Sequence, residues 1–356
     1  MSKVLPQPWT LRMKSTRSIA NRQSPVVNRK SPIRNLDVVC LGEILIDFVP
    51  SPALSPLGEA KYLRMAPGGA PANVAVALSR LGLSSGFIGK AGDDPFGRFL
   101  REALAGQKLD LRLFGLTSEA QTRLAFVTND SNEQQRFIFY GDPGADVLLR
   151  SGEISGSYLR RARIFHFGSI SLIREPARSA TLAAVKLARE NGLLISFDPN
   201  LRPALWPSLK QARQEILQTL EYCHILKMNE SEWQFLFPGK KFEESFSILW
   251  GRGISLAAVT LGAAGAKVAA GTSCLKVKSL TVRAVDNTGA GDGFVAGLLY
   301  GVLNHGFQKP QFSSEELLEM ARLANCVGAL TTTKAGAIPA FPSLRQVRAA
   351  LKEIEN

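Results

Sequence analysis

Asp286-Asn287-Thr288-Gly289-Ala290-Gly291-Asp292-Gly293 joins a strand-like run, residues 280–285, to a segment of small and apolar residues at 294–300. Strand, glycine-rich turn and helix, in that order, aim several backbone N–H groups at one point. The unpaired N–H groups of a helix's first turn and the positive end of its dipole favour an anion there. A carboxylate inside such a cradle repels the phosphate that the cradle attracts, so Asp292 needs a reason for its place. Taking a proton from a nucleophile beside that phosphate is one. The stretch points to phosphoryl transfer with Asp292 as the base.

The remaining properties bound this reading. The chain of 356 residues can bury a sizeable core as one large domain or two smaller ones. No apolar run reaches the roughly eighteen residues of a membrane-spanning helix, so no membrane partner is expected. The net charge is +13, but residues 1–36 hold eight Lys or Arg and no Asp or Glu, which leaves 35 basic and 30 acidic residues beyond them. The charge marks a tail and gives no reason to expect a nucleic-acid partner. That tail, rich in Ser, Pro, Asn, Arg and Lys, is expected to be disordered. It reads either as a solvated extension or as an organelle transit peptide, which leaves cytoplasm and plastid both open. Cys40, Cys223, Cys274 and Cys326 are scattered and only three histidines occur. Neither a zinc site nor a disulfide framework is expected, and His166, His224 and His305 read as structural.

From Asp37 the pattern changes. Residues 38–41 and 44–49 read as buried strand interrupted by Gly42-Glu43, with Asp47 an acid within an apolar run. Such acids are rarely buried without a partner, and a polyol hydroxyl is a candidate. After a Pro-rich loop comes Gly68-Gly69-Ala70-Pro71-Ala72-Asn73, then helical spacing over 74–81 that stops at Gly82. Residues 85–90 read as strand, 92–97 as loop and 98–107 as helix. Two alternating segments, 122–128 and 136–140, flank turn chemistry at 129–133 and predict a hairpin that joins a strand at 61–65 in a small accessory sheet. Beyond residue 160 strand and helix alternate: strands at 163–167, 193–197, 225–228 and 257–260, helices at 174–191 and 208–221. This predicts an α/β fold with a mostly parallel sheet covered by helices. Ligands bind at the carboxyl ends of the strands in such sheets. Four polar clusters fall there: Asp198, Asn229 with Glu232, Thr260 with Gly262, and the 286–293 loop. Helices are expected at 314–330 and 343–354.

The chain has no Gly-x-x-x-x-Gly-Lys-[Ser/Thr], no Gly-x-Gly-x-x-Gly after an early strand, and neither Asp-Phe-Gly nor a His-Arg-Asp loop. P-loop NTPases, dinucleotide-dependent oxidoreductases and protein kinases are thereby set aside.

The loops at 68–73 and 286–292 resemble the two signature motifs of the ribokinase-like (PfkB-type) carbohydrate kinases, in the expected order. Phe197-Asp198-Pro199-Asn200-Leu201-Arg202-Pro203 and Lys334-Ala335-Gly336-Ala337-Ile338-Pro339 resemble plant-type fructokinases in particular. The resemblance implies a kinase domain from residue 37 to the end, with a β-sheet lid drawn from about 48–66 and 120–141. It makes Asp292 the base and the backbone of Gly289, Ala290 and Gly291 the anion hole. Asp47, Gly68, Gly69 and Asn73 would bind the sugar. Asn229, Thr260, Gly262, Gly265 and Asn325 would contact ATP. Glu232 would organise Mg²⁺ indirectly, and Asp286 and Thr288 would border a monovalent cation such as K⁺. The implied reaction is ATP-dependent phosphorylation of D-fructose to fructose 6-phosphate, by a protein that could pair through its lid into a homodimer. The chain departs from the fructokinase pattern at Gly141, which replaces an Arg. Another sugar or a nucleoside as acceptor, and a catalytically weak scaffold protein in plastids, therefore stand as alternatives.

Overall fold

The computed structural model describes residues 35–51, 57–129, 135–306 and 312–355. Most of the expected tail, part of the Pro-rich loop and the tip of the hairpin lie outside the described residues. The strands are β1 (Val38–Leu41), β2 (Leu45–Ser51), β3 (Tyr62–Gly68), β4 (Ser85–Gly92), β5 (Asp110–Thr117), β6 (Leu124–Asn129), β7 (Gln135–Tyr140), β8 (Ile164–Gly168), β9 (Leu194–Asp198), β10 (Ile225–Asn229), β11 (Leu256–Thr260), β12 (Ala266–Ala270) and β13 (Ser273–Val277). The helices are α1 (Ala70–Arg80), α2 (Pro95–Ala105), α3 (Gly156–Leu159), α4 (Ala177–Glu190), α5 (Leu209–Thr219), α6 (Glu230–Leu236), α7 (Phe246–Trp250), α8 (Ala290–Asn304), α9 (Ser314–Thr331), α10 (Ala337–Ala340) and α11 (Leu344–Glu355).

Nine strands form the main sheet in the order β13-β12-β11-β10-β9-β8-β1-β4-β5. It is parallel from β5 to β11, whereas β12 and β13 run antiparallel at one edge. Alternate residues of the buried strands feed two cores. Val38 and Cys40 enter the core built with α1, α8 and α9, while Val39 and Leu41 enter the one built with α4, α5 and α6. Helix α8 is buried from Asp292 to Val302, as expected of a helix apolar on every side.

A second sheet of four strands has the order β3-β2-β6-β7. The apolar run 38–49 is therefore divided: Gly42-Glu43 is where the chain passes from the main sheet into the second. The hairpin β6–β7 pairs with β2, not with the 61–65 segment, which lies on the far side of β2. Register places Asp47, Ala66, Ala125 and Phe139 on one face of this sheet, followed by Val127 and Phe137. The run 280–285 is not a strand. The main sheet ends at β13, and among the described residues no neighbouring strand offers residues 280–285 a ladder.

Candidate active site

The carboxyl ends of β1, β8, β9, β10 and β11 meet the N-termini of α1 and α8. Gly289 is the N-cap of α8 in the left-handed conformation, with φ 81, and Asp292 falls in its first turn. The Ala290 N–H turns back to the Asn287 carbonyl at 3.2 Å. Asp292 is 7% exposed, and its Oδ2 accepts from Asn73 Nδ2 at 2.8 Å. The two motifs are thus joined side chain to side chain across 219 positions of sequence. Burial pushes Asp292 up from the ordinary carboxylate value of 3.8 to about 6. The Asn73 hydrogen bond opposes that rise, Asp198 adds to it, and Lys227 and Arg202 oppose it. A carboxylate of this kind is ionised at neutral pH yet basic enough to take a proton.

On the α1 side, Gly69 is the helix N-cap with φ 107. A methyl group there would strike the Glu43 carbonyl oxygen, so only glycine lets the two segments approach this closely. Glu43 Oε1 accepts from the Ala70 N–H at 2.9 Å and so caps α1 from outside. Its Oε2 is buried without a hydrogen-bond partner, as is Asn73 Oδ1. Buried polar atoms are rarely left in this state, and both suit a ligand rich in hydroxyls. Asp47 lies against Gly68, where a methyl group would collide with its carboxylate. Burial raises Asp47 to about 7; Arg202 opposes the rise, and Asp292 and Asp286 add to it. Burial likewise raises Glu43 to about 7. Gly141 follows β7, and its neighbour Asp142 is held by Arg174 at 2.8 Å and lies 3.5 Å from Arg123.

At the start of α8 lies a cavity of about 650 Å³, lined by Thr260, Gly262, Gly265, Ala290, Gly291 and Asn325 among others. Its volume is in the range of small-molecule sites. The segment 279–284 forms one wall and Phe294 part of another. Asn325 Nδ2 donates to the Val277 and Lys278 carbonyls at 3.0 and 3.2 Å, which fixes the start of that wall. Asn229 does not line this cavity. It is the N-cap of α6, accepting from the Glu232 N–H at 2.8 Å, while Glu232 Oε2 accepts from the Asn229 N–H at 2.9 Å. Glu232 Oε1 accepts from the Leu201 N–H at 2.7 Å. With both oxygens bonded to the backbone, Glu232 suits an indirect role toward a cation better than direct ligation. Among the described residues no cluster of three or more His, Cys, Asp or Glu could hold a metal ion. Asp286 Oδ1 accepts from the N–H and hydroxyl of Thr288 at 2.9 and 2.6 Å, and its Oδ2 from the Gly336 N–H at 2.7 Å. These bonds hold the 286–292 loop against the segment before α10.

Two cations here were not singled out from sequence. Lys227 lies in β10 on the face toward α8, and its Nζ is 2.8 Å from Asp198 Oδ2 and 3.0 Å from where a Gly291 side chain would begin. Burial disfavours its charge, but Asp198, Glu232 and Asp292 together raise its proton affinity. A lysine inside the apolar run Ile225-Leu226-Lys227-Met228 is the same signal that drew attention to Asp47. Arg202, in the loop after β9, acts on Glu43, Asp47 and Asp292. His166 is buried, its proton affinity is lowered by burial to about 4, and its Nδ1 lies 3.0 Å from Ser196 Oγ. This is a structural role, as expected.

The chain is similar to known proteins over most of its length. Fructokinase-1 of Zea mays is 45% identical over 313 residues, 87% of this chain and 96% of the maize protein. The Arabidopsis thaliana protein named probable fructokinase-6, chloroplastic, is 43% identical over 316 residues, 88% of this chain and 82% of its own. Among solved structures, the Xylella fastidiosa fructokinase with bound ATP superposes with a TM-score of 0.81 at 32% identity, covering 90% of this chain and 99% of that one. A Vibrio cholerae fructokinase double mutant with fructose, ADP and potassium ion bound gives 0.79 at 34% identity, covering 89% and 99%. Residues 35–344 match the pfkB family of carbohydrate kinases, and the chain belongs to that family.

Proposed function

We propose that this protein transfers the γ-phosphoryl group of ATP to a sugar hydroxyl, with D-fructose as acceptor and fructose 6-phosphate as product. The carrying observation is the position of Asp292. It stands in the first turn of α8, bonded to Asn73; Ala290 and Gly291 just before it line the 650 Å³ cavity, and the buried Asp47 is near enough to feel its charge. The similarity to fructokinases over most of the chain supports the choice of sugar.

In this reading Asp47, Gly68, Gly69 and Asn73 hold the sugar so that its primary hydroxyl faces Asp292. Asn73 donates to Asp292 Oδ2 and leaves Oδ1 to receive the hydroxyl proton. The ATP phosphates reach the α8 N-terminus from the cavity, past Thr260, Gly262 and Gly265. The backbone N–H groups of Gly289 and Gly291, that of Ala290 once it turns from the Asn287 carbonyl, the α8 dipole and Lys227 stabilise the charge on the transferring group. Mg²⁺, when bound, neutralises charge between the terminal phosphates. Glu232 and Asn229 are the residues that would organise it, and Asp286 and Thr288 would border a monovalent cation such as K⁺. The second sheet covers the sugar and excludes water as a competing nucleophile.

The test is ADP release over a panel of sugars and nucleosides, with Asp292→Asn as control. Turnover of fructose that vanishes in the control supports the proposal. Preference for another acceptor would replace fructose, and a folded protein inactive on every acceptor would favour a scaffold.

The outer face of the second sheet favours a homodimer. Met65, Phe48, Phe126 and Ile138 form one row across its four strands, with Met65 38% and Ile138 43% exposed and Tyr140 beside them 58% exposed. A second copy covering this row would give a dimer that Ile138→Glu converts to monomer in sedimentation; an unchanged mass would refute it. For location, the acid-free basic segment 1–36 leaves cytoplasm and plastid open. A fluorescent fusion with and without that segment decides between them.

A further inference from the structure

The loop that leaves β9 fastens three parts of the site together. Asp198 Oδ2 accepts from Lys227, and its Oδ1 accepts from the Asn200 N–H at 3.2 Å. Asn200 has φ 43, a left-handed conformation uncommon outside glycine. The Leu201 N–H is bound by Glu232. The backbone is thus fixed to the nucleotide side of the site immediately before Arg202 leaves it.

The Arg202 side chain points toward the second sheet. Its guanidinium carbon lies 4.9 Å from the centre of the Phe137 ring, within cation–π distance. Phe137 shares a sheet face with Val127, Ala125 and Asp47 by register. Its charge is felt by three buried carboxylates, Glu43, Asp47 and Asp292. Its own bonds are weak: Nη1 reaches the Asn200 and Leu201 carbonyls only at 3.4 and 3.3 Å. A half-buried guanidinium that forms no ion pair with an acid among the described residues, braced on an aromatic ring, is placed to bond something between the acids.

Resting on the sugar-kinase reading above, we propose that Arg202 is a positioning residue for the acceptor: it donates to sugar hydroxyls whose protons the carboxylates receive, and its contact with Phe137 holds the second sheet over the bound sugar. A hydroxyl both donates and accepts, whereas ionised carboxylates only accept, so a donor-only partner completes the match. The direction of the effect follows from the loop. Asp198 and Glu232 tether it on the nucleotide side, and the Arg202 side chain reaches the lid at Phe137.

The test is steady-state kinetics of the full chain with D-fructose and ATP varied separately, for wild type, Arg202→Gln, Arg202→Lys, Phe137→Leu and the Gln/Leu double variant. Losing a charged hydrogen-bond donor should raise the KM for fructose roughly tenfold or more. The KM for ATP should stay within about twofold, and Arg202→Lys should recover part of the loss. The Gln and Leu effects should be less than additive, because each removes the same contact. An unchanged fructose KM would overturn the inference, as would a parallel rise in both KM values with a fall in melting temperature, the mark of a merely structural loop. Strict additivity would overturn the role of Phe137. Wild type inactive on every acceptor would instead sink the kinase reading itself.

Discussion

Replacing Asp292 by Asn should make the protein more stable while nearly abolishing its activity, and the size of the first effect can be worked out. In the fold, burial raises Asp292 from 3.8 to about 6. A carboxylate whose proton affinity is higher in the fold favours folding while protonated and opposes it once ionised. The penalty is therefore absent below about pH 4, grows as pH rises toward 6, and is complete above it. A rise of this size corresponds to about 3 kcal/mol at neutral pH. Asn carries no such penalty. Its amide oxygen can still accept from Asn73, and Lys227 keeps Asp198 as partner, so no buried charge is left alone.

Chemical denaturation at pH 7.5 and pH 4 measures the prediction. The Asn variant should exceed wild type by up to about 3 kcal/mol at the higher pH, with the gap closing at the lower one. Its kcat should fall by about 10² to 10⁴, the usual contribution of a general base. A variant that is less stable at pH 7.5, or a stability difference that ignores pH, would refute the view of Asp292 as a buried acid kept ionised for its chemistry. A loss in kcat below about tenfold would refute its role as base.

Three further outcomes are expected. The rate should fall as pH drops through about 6, because Asp292 must be ionised to act, and Asn73→Ala should move that limb to higher pH by removing the bond that lowers its proton affinity; a limb that does not move would place the titration elsewhere. Gly69→Ala forces a side chain onto the Glu43 carbonyl at φ 107 and should cost stability by about 1–3 kcal/mol together with a higher KM for the sugar, read by thermal melting and kinetics. Glu232→Gln can no longer accept from both Leu201 and Asn229 and should lose roughly 1–3 kcal/mol while raising the Mg²⁺ concentration for half-maximal rate; an unchanged Mg²⁺ requirement would restrict Glu232 to a capping role.

Much of the fold was legible because buried parallel strands read as short apolar runs and helices as periodic ones. The failures have physical reasons. Alternation at 280–285 reports a segment with two different sides, which a cavity wall has as surely as a strand. Pairing depends on a neighbour, and the main sheet stops at Val277. Strand β5 is half-buried along its length at the opposite edge, so it lacks the apolar run of the central strands. Helix α2 begins at Pro95 instead of 98, because Asp94 caps it by accepting from the Gly97 N–H with Pro in the first helical position. Asp-Pro in the sequence is compatible with that start as well as with a loop.

The site was legible in its parts more than in its joints. No local pattern tells that Asn73 meets Asp292, or that Glu43 reaches back to cap α1. What the structure adds is a way to sort the buried acids by the bonds they already have. Glu232 accepts two backbone N–H groups, Asp286 accepts three donors, and Asp198 is held by Lys227 and Asn200. These three shape loops, and their bonding capacity is largely used. Asp292 has one oxygen bonded and Glu43 has one oxygen bonded. Asp47 takes no side-chain hydrogen bond from the described residues. Burying a carboxylate without matching donors is unfavourable unless donors arrive from elsewhere. Asp47 feels the charge of Asp292, and none of the unfinished acids Asp292, Glu43 and Asp47 lines the 650 Å³ cavity. A ligand that brings several hydroxyl protons to them would complete all three at once, and a phosphate would complete none of them. In the proposed sugar kinase, that asymmetry would set the acceptor beside these acids and the phosphoryl donor in the cavity.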